Sequence, residues 1–174
     1  MSILSRIFKG RNDRDSYRPL YDRAVALGRD RSWYQEGKVP DTLDGRFDMI
    51  AAVLALVLLR LEREGPEGAE ASVLVAELFI ADMDGSVRQM GIGDLMVGKH
   101  VGKMMGALGG RLTAFREAIH AGSGFEAPVR RNIFHDSPPS QAEVEFVSSR
   151  LAQLHRTLEQ KPLASLLAGE IPAP

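Results

Sequence analysis

The stretch that decides the fold covers residues 82–111 and reads DMDGSVRQMGIGDLMVGKHVGKMMGALGGR. Small residues recur in it and just beyond it at every fourth position, namely Gly98, Gly102, Gly106, Gly110, Ala114 and Ala118. A spacing of four places them on one face of a helix, where another backbone can approach closely. Each glycine inside a helix costs roughly 1 kcal/mol relative to alanine, so four of them cost on the order of 3–4 kcal/mol. We therefore expect a long helix whose glycine row serves a contact.

The same stretch also holds five of the seven methionines, whose flexible side chains adapt to different apolar shapes. Two interpretations of the glycine row remain open. It either receives an apolar segment from outside the domain, or it lets the apolar helix at 49–61 cross closely inside the core. For the first interpretation, the candidate binding residues are Met90, Met96, Gly98, Lys99, Gly102, Lys103, Met104, Met105, Gly106 and Arg111. The two lysines and the arginine are expected to face polar or anionic neighbours.

Composition predicts an all-α fold. Leucine, alanine, glutamate and arginine dominate the 174 residues, and alternating β-branched patterns are scarce. We predict a single compact domain of six to eight helices around a central helix at 43–64, which is apolar on all sides from 49 to 59. That run of eleven apolar residues is shorter than the ~20 needed to span a bilayer. The remaining helices are predicted at 19–30, 67–83, 94–121, 125–134, 140–160 and 162–168. The helix at 67–83 is expected to bury Val73, Leu74, Leu78 and Phe79 and to end or bend at Asp84-Gly85.

The ends of the chain are predicted to lie outside a helical domain at 16–168. Residues 1–15 form a basic, amphipathic segment that either contacts a membrane surface or docks on the domain, and 169–174 form a tail. No secretory signal is evident, so we expect a cytoplasmic protein, peripheral to the inner membrane if the N-terminal segment binds lipid. Trp33 and Tyr34 are expected to cover a helix end.

No motif of catalysis, metal binding or cofactor binding is complete. Cysteine is absent, the net charge of −1 gives no pull towards DNA, and the four histidines are widely spaced. Asp82-x-Asp84-Gly85 lacks the spacing of a calcium loop, and Gly91-Ile-Gly93 lacks the third glycine of a dinucleotide site. Five aspartates could form a metal-dependent catalytic cluster, but pairing with nearby cations is the favoured interpretation; they are Asp44, Asp48, Asp82, Asp84 and Asp94. A non-enzymatic protein without cofactors is predicted, with a helical scaffold that binds a soluble partner helix and a metal-dependent enzyme as the alternatives.

Several ordered motifs resemble the ubiquinol–cytochrome c chaperone family. They are PDTLDGRFD at 40–48, ADMD at 81–84, RQMGIGDLMVGK at 88–99, the Gly110-Arg111 pair and the Arg131-Asn132 pair. The individual residues that match the family's motifs are Asp41, Thr42, Asp44, Gly45, Arg46, Phe47, Asp82, Asp84, Arg88, Gly91, Gly93, Asp94 and Asn132. The chain departs from the family at Gln89, Gly102 and Leu108-Gly109, which makes its glycine row longer and less charged than is usual.

The resemblance implies an all-helical assembly factor for the cytochrome bc1 complex, with immature cytochrome b as its client. It also implies a small partner protein and an association with the ribosome, as in the mitochondrial members. We interpret the chain as a bacterial relative.

Overall fold

The structure is a computed structural model that describes residues 14–89, 94–135 and 138–174, apart from the side chains of Asp94 and Leu95. Its helices within these ranges are α1 (Arg18–Gly28), α2 (Arg31–Gln35), α3 (Leu43–Leu61), α4 (Gly65–Gln89), α5 (Asp94–Ala121), α6 (Glu126–Asn132), α7 (Gln141–Gln160) and α8 (Leu163–Leu167). A 3-10 turn, Glu62–Glu64, joins α3 to α4. The predicted all-α domain is confirmed. The predictions for Met90, Gly91, Gly93 and residues 1–13 lie outside the described residues.

Helix α3 is the centre of the domain. Thr42 caps its N-terminus, because the Thr42 hydroxyl accepts a hydrogen bond from the Gly45 amide at 3.1 Å. Every residue from 48 to 61 is buried, since α1, α4, α5 and α7 all pack against this helix. A helix surrounded in this way needs apolar side chains on all its faces, which explains the unbroken apolar run in the sequence.

The close crossing over α3 occurs at Gly28, the last residue of α1. A β-carbon there would lie 2.6 Å from the Cα of Ile50, so only glycine fits. The adjacent aromatic pair closes the same helix end: the Trp33 indole donates to the carbonyl of Leu27 at 2.7 Å, and the Tyr34 hydroxyl donates to that of Gly28 at 2.9 Å. Both aromatic residues therefore cover a helix end, as predicted.

Helix α4 is longer than predicted. We expected Asp84-Gly85 to end or bend it, but the helix continues to Gln89 because Val87 is fully buried and its packing offsets the poor helix propensity of glycine. Val73, expected on the buried side, is 59% exposed. Leu78 and Phe79 are buried as predicted, and the buried stripe continues through Ala71 and Val75, so Val73 lies off that stripe.

The C-terminal helices complete the domain, with α7 packing on α3 and α6 and α8 packing on α1. The capping box at the start of α7 is confirmed, with the Ser140 hydroxyl accepting from the Glu143 amide and the Glu143 carboxylate accepting from the Ser140 amide. Ile171, which the sequence assigned to a tail, is only 2% exposed, and its carbonyl accepts a 2.6 Å hydrogen bond from Arg23. Among the described residues, no helix has both the length and the apolarity required to cross a membrane.

Candidate client-binding surface

Helix α5 turns its glycine row outwards. Gly98, Gly102, Gly106 and Gly110 are exposed, and a β-carbon built at any of them would meet no described atom within 4 Å outside the local helix backbone. The interpretation that this row lets α3 cross closely inside the core is therefore wrong. Because successive residues turn by about 100°, the buried stripe of α5 lies on the opposite side of the helix. That stripe includes Val97, Leu108 and Phe115.

We call the outward surface formed by Gly98, Gly102, Gly106, Gly109 and Gly110 the glycine face. Two exposed lysines, Lys99 and Lys103, border it, and Met96 stands near its N-terminal end with 45% of its surface exposed. Met104 and Met105 are partly buried and pack against the hydrophobic core. The result is a helix surface made almost entirely of backbone, with cations and one flexible apolar side chain at its edge.

Arg111 does not belong to this surface. Its side chain is only 5% exposed and forms an ion pair with Asp48 of α3, whose side chain is 6% exposed. The same guanidinium donates to the carbonyl of Asn132 at 2.6 Å and to that of Ala107 at 3.0 Å. The expectation that Arg111 faces a client or another external anion is therefore wrong, since its buried side chain pairs with Asp48 and links three helices inside the protein.

The buried aspartate is held from two sides. His135, which follows α6, lies with its Nε2 2.9 Å from the second carboxylate oxygen of Asp48. Burial raises the pKa of Asp48 above its usual range, while the charge of Arg111 and the His135 contact oppose that shift. His135 itself stays exposed, with 41% of its side chain accessible, and nothing local in the sequence connects it with a residue 87 positions earlier.

Several motif residues pack around this ion pair. The Phe47 ring centre lies 5.7 Å from the Arg111 guanidinium carbon and 6.0 Å from the ring of Phe79. A β-carbon at Gly45 would overlap the carbonyl oxygen of Pro40, so the first turn of α3 requires glycine at this position. Three separated motifs, at 40–48, 110–111 and 131–132, therefore meet in one structural cluster.

The other motif residues make separate, more exposed contacts. Asp41 pairs with Arg46 at 2.6 Å, and Asp84 pairs with Arg88 at 2.7 Å one helical turn away. Asp82 accepts a 2.7 Å hydrogen bond from the hydroxyl of Tyr21, and Asp44 is exposed in the first turn of α3. Where the structure describes side chains, no three His, Asp or Glu groups come together as a metal site. Of the five candidate aspartates, the four with described side chains engage arginine or tyrosine partners or face solvent, and they do not converge.

Comparison with known proteins agrees with the sequence motifs. A model of the ubiquinol-cytochrome C chaperone family matches residues 35–173. No match to the chain was found among curated proteins.

One solved structure is similar over nearly the whole chain. It is the crystal structure of a Cbp3 homolog from Brucella abortus, which is 27% identical, with a TM-score of 0.80. The alignment covers 99% of this chain and 97% of that one.

Proposed function

The chain belongs to the ubiquinol–cytochrome c chaperone family, and we propose that it assists assembly of the cytochrome bc1 complex by binding an apolar helix of immature cytochrome b on its glycine face. Membership of a chaperone family implies a protein client and a non-enzymatic role. Action on cytochrome b, and at the membrane, is the proposed part.

The observation that carries the client-binding proposal is the free space above the glycine row. Glycines at four successive turns cost the helix on the order of 3–4 kcal/mol, and no contact within the described protein makes use of the missing side chains. A second helix could approach this backbone to the short distance that small-residue crossings allow. The cost is explained if the contact forms only with a client.

The border of the glycine face suits such a client. Met96 can repack against different apolar side chains, so binding does not require one exact sequence. Lys99 and Lys103 place positive charge beside the docked helix, where acidic client loops or lipid headgroups would meet it. A client taken up during membrane insertion fits a peripheral position on the inner membrane. A small partner protein and the ribosome stay predictions from the family resemblance.

Substituting Gly106 by leucine tests the glycine face directly. The added side chain has open space, so the fold should persist with equal or higher thermal stability, while a client helix could no longer approach. We expect loss of bc1 activity in a strain that carries only Gly106→Leu. Gln153→Leu is the control, because it adds an exposed leucine on α7, which packs on α3 and α6. Normal bc1 assembly with a folded Gly106→Leu protein would refute the surface assignment.

Deletion of the gene tests the chaperone role itself. The expected result is a loss of cytochrome b absorbance in membranes and of ubiquinol–cytochrome c reductase activity, restored by the wild-type chain. Intact spectra and activity in the deletion strain would remove the assembly role altogether, whereas failure of the Gly106→Leu prediction alone would only relocate the client surface.

A further inference from the structure

A second concave site lies away from the glycine face, where α1 ends, α2 follows and α3 begins. It is a cavity of about 320 Å³ lined by Arg29, Arg31, Tyr34, Gln35, Asp41 and Arg46. This volume is at the lower end of the range typical of small-ligand sites. Three arginines and one aspartate give the lining a net positive charge.

Two of the arginines in the lining form no ion pair with a described residue. Arg46 pairs with Asp41, but Arg29 and Arg31 are exposed and make no ion pair within the described part of the chain. Asp30, which separates them in sequence, is engaged elsewhere, because its carboxylate caps α2 by accepting the amide of Ser32 at 3.0 Å. The cavity therefore contains two guanidinium groups that form no ion pair with a described carboxylate.

The remaining wall is neutral. Burial raises the pKa of Tyr34 to about 12, so its phenol stays protonated and does not repel an anion. Its hydroxyl hydrogen is already donated to Gly28, which fixes the ring as a rigid wall. Gln35, on the same short helix, is exposed and offers an amide donor.

We propose that this cavity binds a phosphate group, with Arg29 and Arg31 as its principal ligands and Arg46 as a third, partly neutralised cation. The planar guanidinium donates two parallel hydrogen bonds that match phosphate oxygens. The proposal does not depend on the glycine face or on the identity of the client.

One neighbouring residue favours the phosphate of an anionic lipid over a soluble phosphate. Leu43, at the start of α3, is 73% exposed, the most exposed large apolar side chain among the described residues. It precedes Arg46 by three positions, so the two side chains neighbour each other on the helix surface. An exposed leucine beside a cationic cavity suits the boundary between headgroups and acyl chains.

Direct binding measurements test the phosphate site. Titration calorimetry with inorganic phosphate and co-sedimentation with phosphatidylglycerol or phosphatidylcholine vesicles would use the full chain. We expect Arg29→Gln with Arg31→Gln to weaken binding by about tenfold or more, the usual worth of a charge-assisted hydrogen bond. The control is Arg131→Gln with Arg156→Gln, which removes two other exposed arginines and the same total charge. It should bind like the wild type.

The two sources give different results. If the protein binds phosphatidylglycerol vesicles and Leu43→Gln weakens that binding, the ligand is a lipid headgroup. If the protein binds inorganic phosphate but not vesicles, the ligand is a soluble phosphate. Either result supports the site, provided that binding requires Arg29 and Arg31. The proposal is overturned if the wild type binds neither probe, or if the Arg29/Arg31 variant and its control bind equally.

Discussion

The strongest stability prediction concerns the ion pair between Asp48 and Arg111. Replacing Arg111 by methionine keeps the length of the buried stem but leaves the Asp48 carboxylate without its cation. Both side chains are about nine-tenths or more buried, so solvent cannot replace the lost partner. Breaking one side of such a pair costs about 3–5 kcal/mol. We expect that loss in the free energy of unfolding from urea denaturation at neutral pH.

The loss should shrink in acid. With Arg111 absent, burial holds the pKa of Asp48 above its unfolded value, and no adjacent guanidinium opposes the shift. The folded state then binds more protons than the unfolded state between these two pKa values, so the stability of Arg111→Met rises as the pH falls through the folded pKa. The difference from the wild type is therefore largest at neutral pH.

An exposed arginine provides the control. Arg46 pairs with Asp41 on the surface, with both side chains more than half exposed, so Arg46→Met should leave stability almost unchanged. If Arg111→Met does not fold, the double variant Asp48→Leu/Arg111→Met should recover a folded protein, because neither charge is left buried alone. The reasoning fails if Arg111→Met costs no more than Arg46→Met.

Three further predictions follow from local geometry. Gly45→Ala should lower the melting temperature clearly, because the added β-carbon would overlap the carbonyl of Pro40. Gly85→Ala, with open space around it, should stabilise α4 by about 0.5–1 kcal/mol. Thermal denaturation compares the two variants, and equal shifts in melting temperature would contradict this explanation. Burial lowers the pKa of His155 in the folded state below its value in the unfolded state. The free energy of unfolding should therefore be highest above the unfolded pKa and should fall as the pH drops through the folded pKa. His155→Gln should flatten that fall in urea denaturation below neutral pH, and an unchanged slope would exclude His155 as its source. Ser140→Ala should cost about 1 kcal/mol by loss of the α7 cap, and Ser149→Ala, an exposed control on the same helix, almost nothing.

Local patterns in the sequence were sufficient to predict those structural features that depend on neighbouring residues. The capping box of Ser140 lies within four consecutive residues, and the apolar run of α3 reports its burial directly. Contacts between distant segments were not predictable from those patterns. Asp48 meets its arginine 63 residues later and its histidine 87 residues later, and nothing in one sequence marks them as partners.

The direction of the glycine row was equally hidden. Periodicity showed that the glycines share a face of α5, but both a buried and an exposed row satisfy the same spacing. The glycine row faces outwards because the larger apolar side chains on the opposite side of α5 fill the core. The close crossing that the glycine row was expected to serve is made by Gly28, a single residue without any repeat to reveal it.

The outward glycine face also has a consequence for how α5 moves before any client arrives. Between residues 98 and 110, the exposed glycines offer no side chains to shield the outer hydrogen-bonded turns from water, and only the inner side of the helix is anchored. Local opening should therefore be frequent there, and amide hydrogens should exchange with deuterium much faster than those of the enclosed helix α3. Docking of a client would slow this exchange, so the same segment would serve as an internal reporter of occupancy.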